Sequence, residues 1–217
     1  MEIRKTDDGS NTIWADQYQE TYHSTKGAIT ESNHVFIEAG FNQTTGPVNI
    51  FEVGFGSGLN ALLTLIASEA SQRQTIYHSV ELNPVPIELA IQLQYPEQTE
   101  IQYRDKFEAM HHSSWDCAVK ISPFFTLHKI SGNLLSLEPE KNYDIVYFDA
   151  FSPNTQPELW QEEIFLKIFQ LLKPGGILTT YCAKGDVRRT MKSVGFKTER
   201  LPGPPGKWEM LRATKKI

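Results

Sequence analysis

No apolar run in this sequence approaches the roughly 18 residues of a membrane-spanning helix, and its opening Met-Glu-Ile-Arg-Lys-Thr-Asp-Asp has no signal-peptide core. Cysteine is nearly absent. Cys117 and Cys182 stand far apart, which excludes a disulfide framework and a thiolate metal site. His111 and His112 are adjacent rather than helically spaced, and His128 falls on an alternating strand, so no metal is expected. Positive charge is not in excess either: the formal net charge is −5, which does not announce a nucleic-acid binder. Internal repeats and low-complexity tracts are missing. These absences leave a cytoplasmic, soluble protein as the expectation, and a hydrophobic fraction of 40% suffices for a full core in a single α/β domain.

What is present centres on residues 48–60. Val48, Ile50, Phe51 and Val53 read as a buried strand, Gly54, Gly56 and Gly58 as a turn, and Leu59 through Ala67 as a helix. Strand, glycine-rich turn and helix form the first unit of a nucleotide-binding fold, in which glycine lets the backbone approach a ligand. The dinucleotide fingerprint requires its third glycine where this chain has Leu59. Here the spacing is G-x-G-x-G, preceded by Glu52. A carboxylate beside the turn suits an ammonium-bearing ligand better than a pyrophosphate, and the pattern resembles motif I of class I S-adenosylmethionine (SAM) methyltransferases.

The rest of the chain extends this unit. Residues 1–47 are polar and read as an N-terminal extension, either packing on a sheet edge or serving as a lid. Within it, Thr12–Trp14 and His34–Ile37 read as short strands. Thr75–Val80 is a second core strand ending in Glu81, placed to accept both hydroxyls of a ribose. Pro84 and Pro86 start a helix through Gln94, and residues 97–112 read as another. Residues 117–121 and 125–130 suggest an inserted hairpin. Asn133, after Gly132, can meet an adenine amino group or merely shape a turn. Tyr143–Phe148 is the fourth core strand. Pro157 starts a helix to Leu172 that Lys173-Pro174-Gly175-Gly176 stops. Ile177–Tyr181 is the fifth strand, and a helix from Asp186 to Val194 leads to a terminal hairpin, Phe196–Leu201 with Glu209–Ala213.

Open α/β sheets bind ligands at the carboxyl ends of their strands, which puts Asp149 at the site. Asp149-Ala150-Phe151-Ser152-Pro153 resembles the acid-proline-aromatic motif of enzymes that methylate amino groups, where a carboxylate can hold a nitrogen in line with a methyl donor. Charge is unevenly spread: residues 184–217 carry +7 and the remainder −12. Lys184, Arg188 and Arg189 can form a phosphate-binding face or a solvated helix.

Taken together, these segments resemble the methyltransferase component of the bacterial MnmC-type enzymes, which modify the wobble uridine of certain tRNAs. The likeness rests on Asp8-Gly9-Ser10, Tyr22-His23-Ser24, Gly27-Ala28, Glu31-Ser32, His34-Val35-Phe36, Glu52 through Asn60, Phe148 through Pro153, Pro157 through Trp160, Lys173 through Gly176, Val187-Arg188-Arg189, Gly195-Phe196 and Glu209-Met210-Leu211. It implies a class I Rossmann-like doubly wound sheet over residues 48–217 with a C-terminal antiparallel hairpin, and SAM as cofactor. It further implies N-methylation of a 5-aminomethyl (2-thio)uridine to the 5-methylaminomethyl form. Glu31, Glu52, Gly54, Gly56, Gly58, Asn60, Glu81, Asn133 and Asp149 are the expected cofactor residues, with Asp149 also catalytic. Phe151, Lys184, Arg188 and Arg189 are expected to meet the tRNA anticodon stem-loop. No second glycine fingerprint is found, so a fused oxidase is not expected and a separate amine-forming enzyme would supply the substrate. Rival readings are a SAM methyltransferase of small amines or proteins, and a non-catalytic SAM- or nucleotide-binding module. Finding both Glu81 and Asp149 argues against the second, since a scaffold needs neither.

Overall fold

The computed structural model describes residues 1–138 and 142–216; Ile217, the last residue of the expected domain, lies outside them. The extension comes first as three short strands, β1 (Glu2–Lys5), β2 (Asn11–Ala15) and β3 (Glu20–Thr21), in an antiparallel sheet of their own. Helix α1 (Ala28–Ser32) follows. Asp8 ties the two together: its Oδ2 accepts from the Thr30 N–H at 3.0 Å and the Thr30 hydroxyl at 2.8 Å. These bonds and those from Thr6 and Ser10 hold its carboxyl well below the usual range against the opposing effect of burial.

Eight further strands make one sheet: β4 (Val48–Val53), β5 (Thr75–Glu81), β6 (Ala118–Ser122), β7 (Phe125–Ser131), β8 (Tyr143–Phe148), β9 (Leu172–Thr180), β10 (Phe196–Pro202) and β11 (Glu209–Lys215). Their order is β10-β11-β9-β8-β4-β5-β7-β6. The five central strands are parallel, while β6, β10 and β11 complete antiparallel pairs at the edges. Helices α2 (Leu59–Ser71), α3 (Ile87–Ile91), α4 (Tyr95–Gln98), α5 (Arg104–His112), α6 (Glu162–Leu171) and α7 (Gly185–Ser193) link the strands.

Central parallel strands are buried on both faces and so carry continuous apolar runs. In β4, Ile50 joins the cluster that includes Leu62, Tyr77 and Phe107, whereas Phe51 and Val53 join that of Trp160, Phe165 and Met191. Strand β8 divides likewise, Ile145 and Tyr147 to the first cluster, Val146 and Phe148 to the second. This period of two assigns one helical layer to each face.

Five expectations need correction: the helix from Pro157 to Leu172 is broken at the extended Gln161 into a turn over Pro157–Trp160 and α6, with Leu172 already in β9. His34–Ile37 is not a strand: helical turns run over Asn33–Glu38 directly from α1, burying Val35 and Phe36, and Phe36 packs on Tyr147 with ring centroids 5.0 Å apart. Burial against the sheet overrides the β preference of a Val-Phe-Ile run. The helix of residues 97–112 is broken, because Glu100 is extended and separates α4 from the turn that opens α5. The helix after Pro84 and Pro86 spans only Ile87–Ile91. Lys173–Gly176 lies inside β9, with its irregularity absorbed in the pairing with β8.

Candidate functional site

The cleft opens where the sheet changes direction, β4 being flanked by β5 on one side and β8 on the other. It encloses about 900 Å3 including its mouth. The turn after β4 forms its floor. Gly58 has φ +74°, and a Cβ there would stand 2.7 Å from His111 Nε2; one on Gly56, at φ +51°, would stand 3.1 Å from the Tyr22 ring. Side chains at these two positions would fill the space beneath and above the turn.

Asn60, in the first turn of α2, joins the two acids of the site. Its Nδ2 donates to Glu52 Oε1 at 3.0 Å and to Asp149 Oδ2 at 2.7 Å. The Asn60 Oδ1 is buried and has no hydrogen-bond partner. Glu52 also accepts from the Ser79 hydroxyl at 2.7 Å and is wholly buried, and burial pushes its carboxyl up to about 8. It lies under the turn rather than on the cleft wall, so the expected direct contact between Glu52 and a ligand ammonium gives way to support of Asn60. Asp149, at the carboxyl end of β8, does line the cleft. Burial, and the nearby charge of Glu31, raise it to about 7 against the Asn60 bond and the charge of Lys207.

Glu81 lines the other end. Its Oε2 accepts from the Gly56 N–H at 3.0 Å and its Oε1 from the Asn83 N–H at 2.8 Å, with burial raising its pKa. Beyond it, Leu82 and Leu135 line the cleft although 54% and 46% exposed, giving apolar walls where a purine edge can lie. Asn133 is between them, but its Oδ1 already accepts from the Leu135 N–H at 2.9 Å, leaving the NH2 as its free face.

The mouth above Asp149 is aromatic. Phe151 meets Tyr18 at 4.3 Å and Tyr22 at 5.0 Å between ring centroids. The extension straps this corner, since Asn83 donates to Tyr18 Oη at 3.2 Å and Ser152 N–H to Glu20 at 3.3 Å. His23 Nε2 lies 2.7 Å from Ser57 Oγ, and burial pushes the imidazole down to about 4, so it is neutral.

Glu31 does not line the cleft. It is buried, accepts from the Ser24 N–H at 3.1 Å and pairs with Lys207 of the β10–β11 loop. Two of the three basic residues expected to meet RNA are also engaged. Lys184 donates to Asn154 Oδ1 at 2.7 Å and Arg189 pairs with Asp186, while Arg188 Nε is buried without a partner. Sequence reasoning missed Tyr18, His23, Ser57, Gln156 and Lys207. Ser57 sits within the glycine turn itself, and His23 within the Tyr22-His23-Ser24 block, while Tyr18, Gln156 and Lys207 come from segments that no local pattern marks.

The donor set suits a cationic ligand. Glu81, Asp149 and Glu158 line the cleft, and among the described residues no lysine or arginine does. Such a lining repels a pyrophosphate and attracts an ammonium or sulfonium. The unpartnered Asn60 Oδ1 offers the acceptor that an ammonium requires.

Comparison with known proteins agrees. Residues 93–216 match a family model described as S-adenosyl-L-methionine-dependent methyltransferase. The tRNA 5-methylaminomethyl-2-thiouridine biosynthesis bifunctional protein MnmC of Cupriavidus necator is 31% identical over 218 residues, covering 93% of this chain and 32% of that protein. Its counterpart in Pseudomonas savastanoi is 29% identical over 214 residues, covering 91% and 32%. The chain thus spans about a third of the length of the curated relatives it matches. The crystal structure of MNMC2 from Aquifex aeolicus superposes with a TM-score of 0.79 at 24% identity, covering 100% of this chain and 70% of that one, and establishes the shared α/β fold.

Proposed function

The chain belongs to the family of S-adenosyl-L-methionine-dependent methyltransferases, and on that premise we propose that it methylates the primary amine of 5-aminomethyl (2-thio)uridine at the tRNA wobble position, giving the 5-methylaminomethyl form. The observation that carries this reading is Asp149: an acid on the cleft wall, held by Asn60 over the glycine turn and roofed by Phe151, Tyr18 and Tyr22. The thiouridine biosynthesis for which the MnmC relatives are named supports the substrate.

When bound, SAM supplies an electrophilic methyl group on a cationic sulfur. For its other groups, the Asn60 Oδ1 would receive the ammonium, Glu81 the ribose hydroxyls, and Leu82 and Leu135 the adenine faces, with Asn133 at the adenine edge. Gly54, Gly56 and Gly58 keep the floor open for it. Glu52 and Glu31 act at one remove, through Asn60 and Lys207.

Asp149 faces the acceptor. An alkyl amine is mostly protonated at neutral pH, as lysine is near 10.4, and only the neutral form attacks. A carboxylate beside it favours the protonated form, so alignment is the first role of Asp149. With its own midpoint near 7, it is also suited to take up the amine proton close to working pH. The extension, residues 1–47, covers the reacting corner with Tyr18, Tyr22 and His23, excluding water from it.

The partner is the anticodon stem-loop. Trp208, 97% exposed beside Lys207, offers a stacking face for an unpaired base, and Phe151 a second one at the mouth. Lys184 and Arg189 would exchange their local contacts for phosphates, and Arg188 would gain one. A separate oxidase or other amine-forming enzyme would supply the aminomethyl group, and the setting of this chemistry is the cytoplasm; no helix among the described residues is long and apolar enough to cross a membrane. Mass spectrometry of nucleosides after incubation with SAM and hypomodified tRNA tests the reading. It expects conversion of 5-aminomethyl (2-thio)uridine; methylation of a free amine or a protein instead, with the tRNA unchanged, would overturn it.

A further inference from the structure

The pair formed by Glu31 and Lys207 joins the two ends of the chain. Glu31 lies in α1 and Lys207 in the β10–β11 loop, and their side chains are 8% and 31% exposed. The loop is pinned at several points: Lys207 Nζ sits 4.0 Å over the Tyr181 ring, His34 Nε2 lies 2.8 Å from the Pro202 carbonyl oxygen, and the Gly203 N–H donates to the Trp208 carbonyl at 3.0 Å. Tyr181 Oη in turn donates at 2.9 Å to the carbonyl of Ala150, the residue after Asp149. So a half-buried ion pair, an aromatic ring and a main-chain bond lead in three contacts to the peptide next to the acid that faces the acceptor. Both partners of the pair act on Asp149, with opposite sign.

We propose that Glu31 and Lys207 are positioning residues for Asp149: together they seat the β10–β11 loop and, through Tyr181, the chain next to Asp149 against the acceptor side of the cleft, with one charge of each sign bearing on its carboxyl. The inference rests on the reading of Asp149 as the group that meets the acceptor amine. Other groups face this carboxyl as well. Glu52 of β4, Tyr77 of β5, Tyr95 of α4 and Tyr181 after β9 all interact with it electrostatically, and Asn60 of α2 donates to it. Among these, Glu31 and Lys207 are the pair whose removal changes the local charge in either direction at will.

The signs follow from electrostatics. Removing the anion in Glu31→Gln makes ionised Asp149 easier to form and lowers its midpoint. Removing the cation in Lys207→Met raises it. Each shift is expected to be about one pH unit, and the double variant returns close to the wild-type midpoint. Carbon-13 NMR titration of the full chain labelled at aspartate reads this directly, with the Asp149 signal identified by its loss in Asp149→Asn. The low-pH limb of the kcat profile on hypomodified tRNA should move with it. Shifts of the same sign in both single variants, no shift, or a double variant displaced like either single would overturn the proposal. If thermal melts show that Lys207→Met does not fold, the double variant against Glu31→Gln carries the test, since neutralising Lys207 there must move the midpoint back up. The titration contains no tRNA, so its outcome is separate from that of the methylation assay.

Discussion

Asp149 and Glu52 flank the same amide, yet their carboxyls do different work. Glu52 is sealed beneath the turn, and burial raises it to about 8. A carboxyl raised on folding stabilises the native state fully below its unfolded value near 4.5, and that contribution is lost as pH rises through about 8. Glu52→Gln keeps an acceptor for Asn60 and carries no charge. It is expected to melt a few degrees above wild type at the alkaline end of this window and to flatten the fall of Tm with pH; a fall as steep as that of wild type would show that Glu52 is not the group responsible. The place of Asp149 on the cleft was legible in the sequence, because ligands of open α/β sheets lie at the carboxyl ends of the strands. The burial of Glu52 was not. The spacing marks Glu52 as the acid before the turn, but no local pattern shows that Ser79 and Asn60 close over it.

Among the elements, the glycine turn and the β10–β11 loop make the sharpest contrast. The spacing of Gly54, Gly56 and Gly58 is legible in the sequence as a glycine turn between β4 and α2. Gly58→Ala should lower Tm, at a cost of about 1–3 kcal/mol for a strained left-handed residue, and should also weaken SAM uptake in calorimetry. Gly46, at φ +72° with nothing within 4 Å of its absent Cβ, is the control. Gly46→Ala should carry the strain cost and leave uptake unchanged. The β10–β11 loop reads in sequence as a plain Pro-Gly turn. Its function comes from residues far away in the chain, Glu31 and Tyr181, which no local pattern couples to Lys207. Trp208→Ala is expected to weaken tRNA binding by roughly 5- to 100-fold, from the ~1–3 kcal/mol of one stacked base. Equal affinity would remove Trp208 from the interface. His34–Ile37 failed as a strand for a related reason: its apolar run is set by packing on Tyr147, not by alternation.

Across the whole molecule, the layered sheet was readable because β4 and β8 carry short apolar runs and acids stand at or just beyond the carboxyl ends of β5 and β8. Asp149 follows β8 and Glu81 ends β5, and the folded chain brings both to one cleft. The charge asymmetry was equally visible, although Lys184 and Arg189 prove to be held by Asn154 and Asp186. Exposed pairs of this kind contribute little, so their exchange for phosphates costs little. Affinity for tRNA should fall steeply with salt, and Lys184→Ala with Arg188→Ala should reduce the log–log slope by about 1 for each phosphate left without its cation. A slope unchanged by these substitutions would move the RNA path to another face.

The central claim is that the acid at the end of β8 aligns an amine with a methyl donor seated over the glycine turn. Single-turnover methyl transfer by Asp149→Asn, at saturating SAM and saturating hypomodified tRNA, tests it most directly. The expected result is SAM binding within about two-fold of wild type by calorimetry, with the transfer rate reduced roughly 10²- to 10⁴-fold. Transfer at the wild-type rate would contradict it.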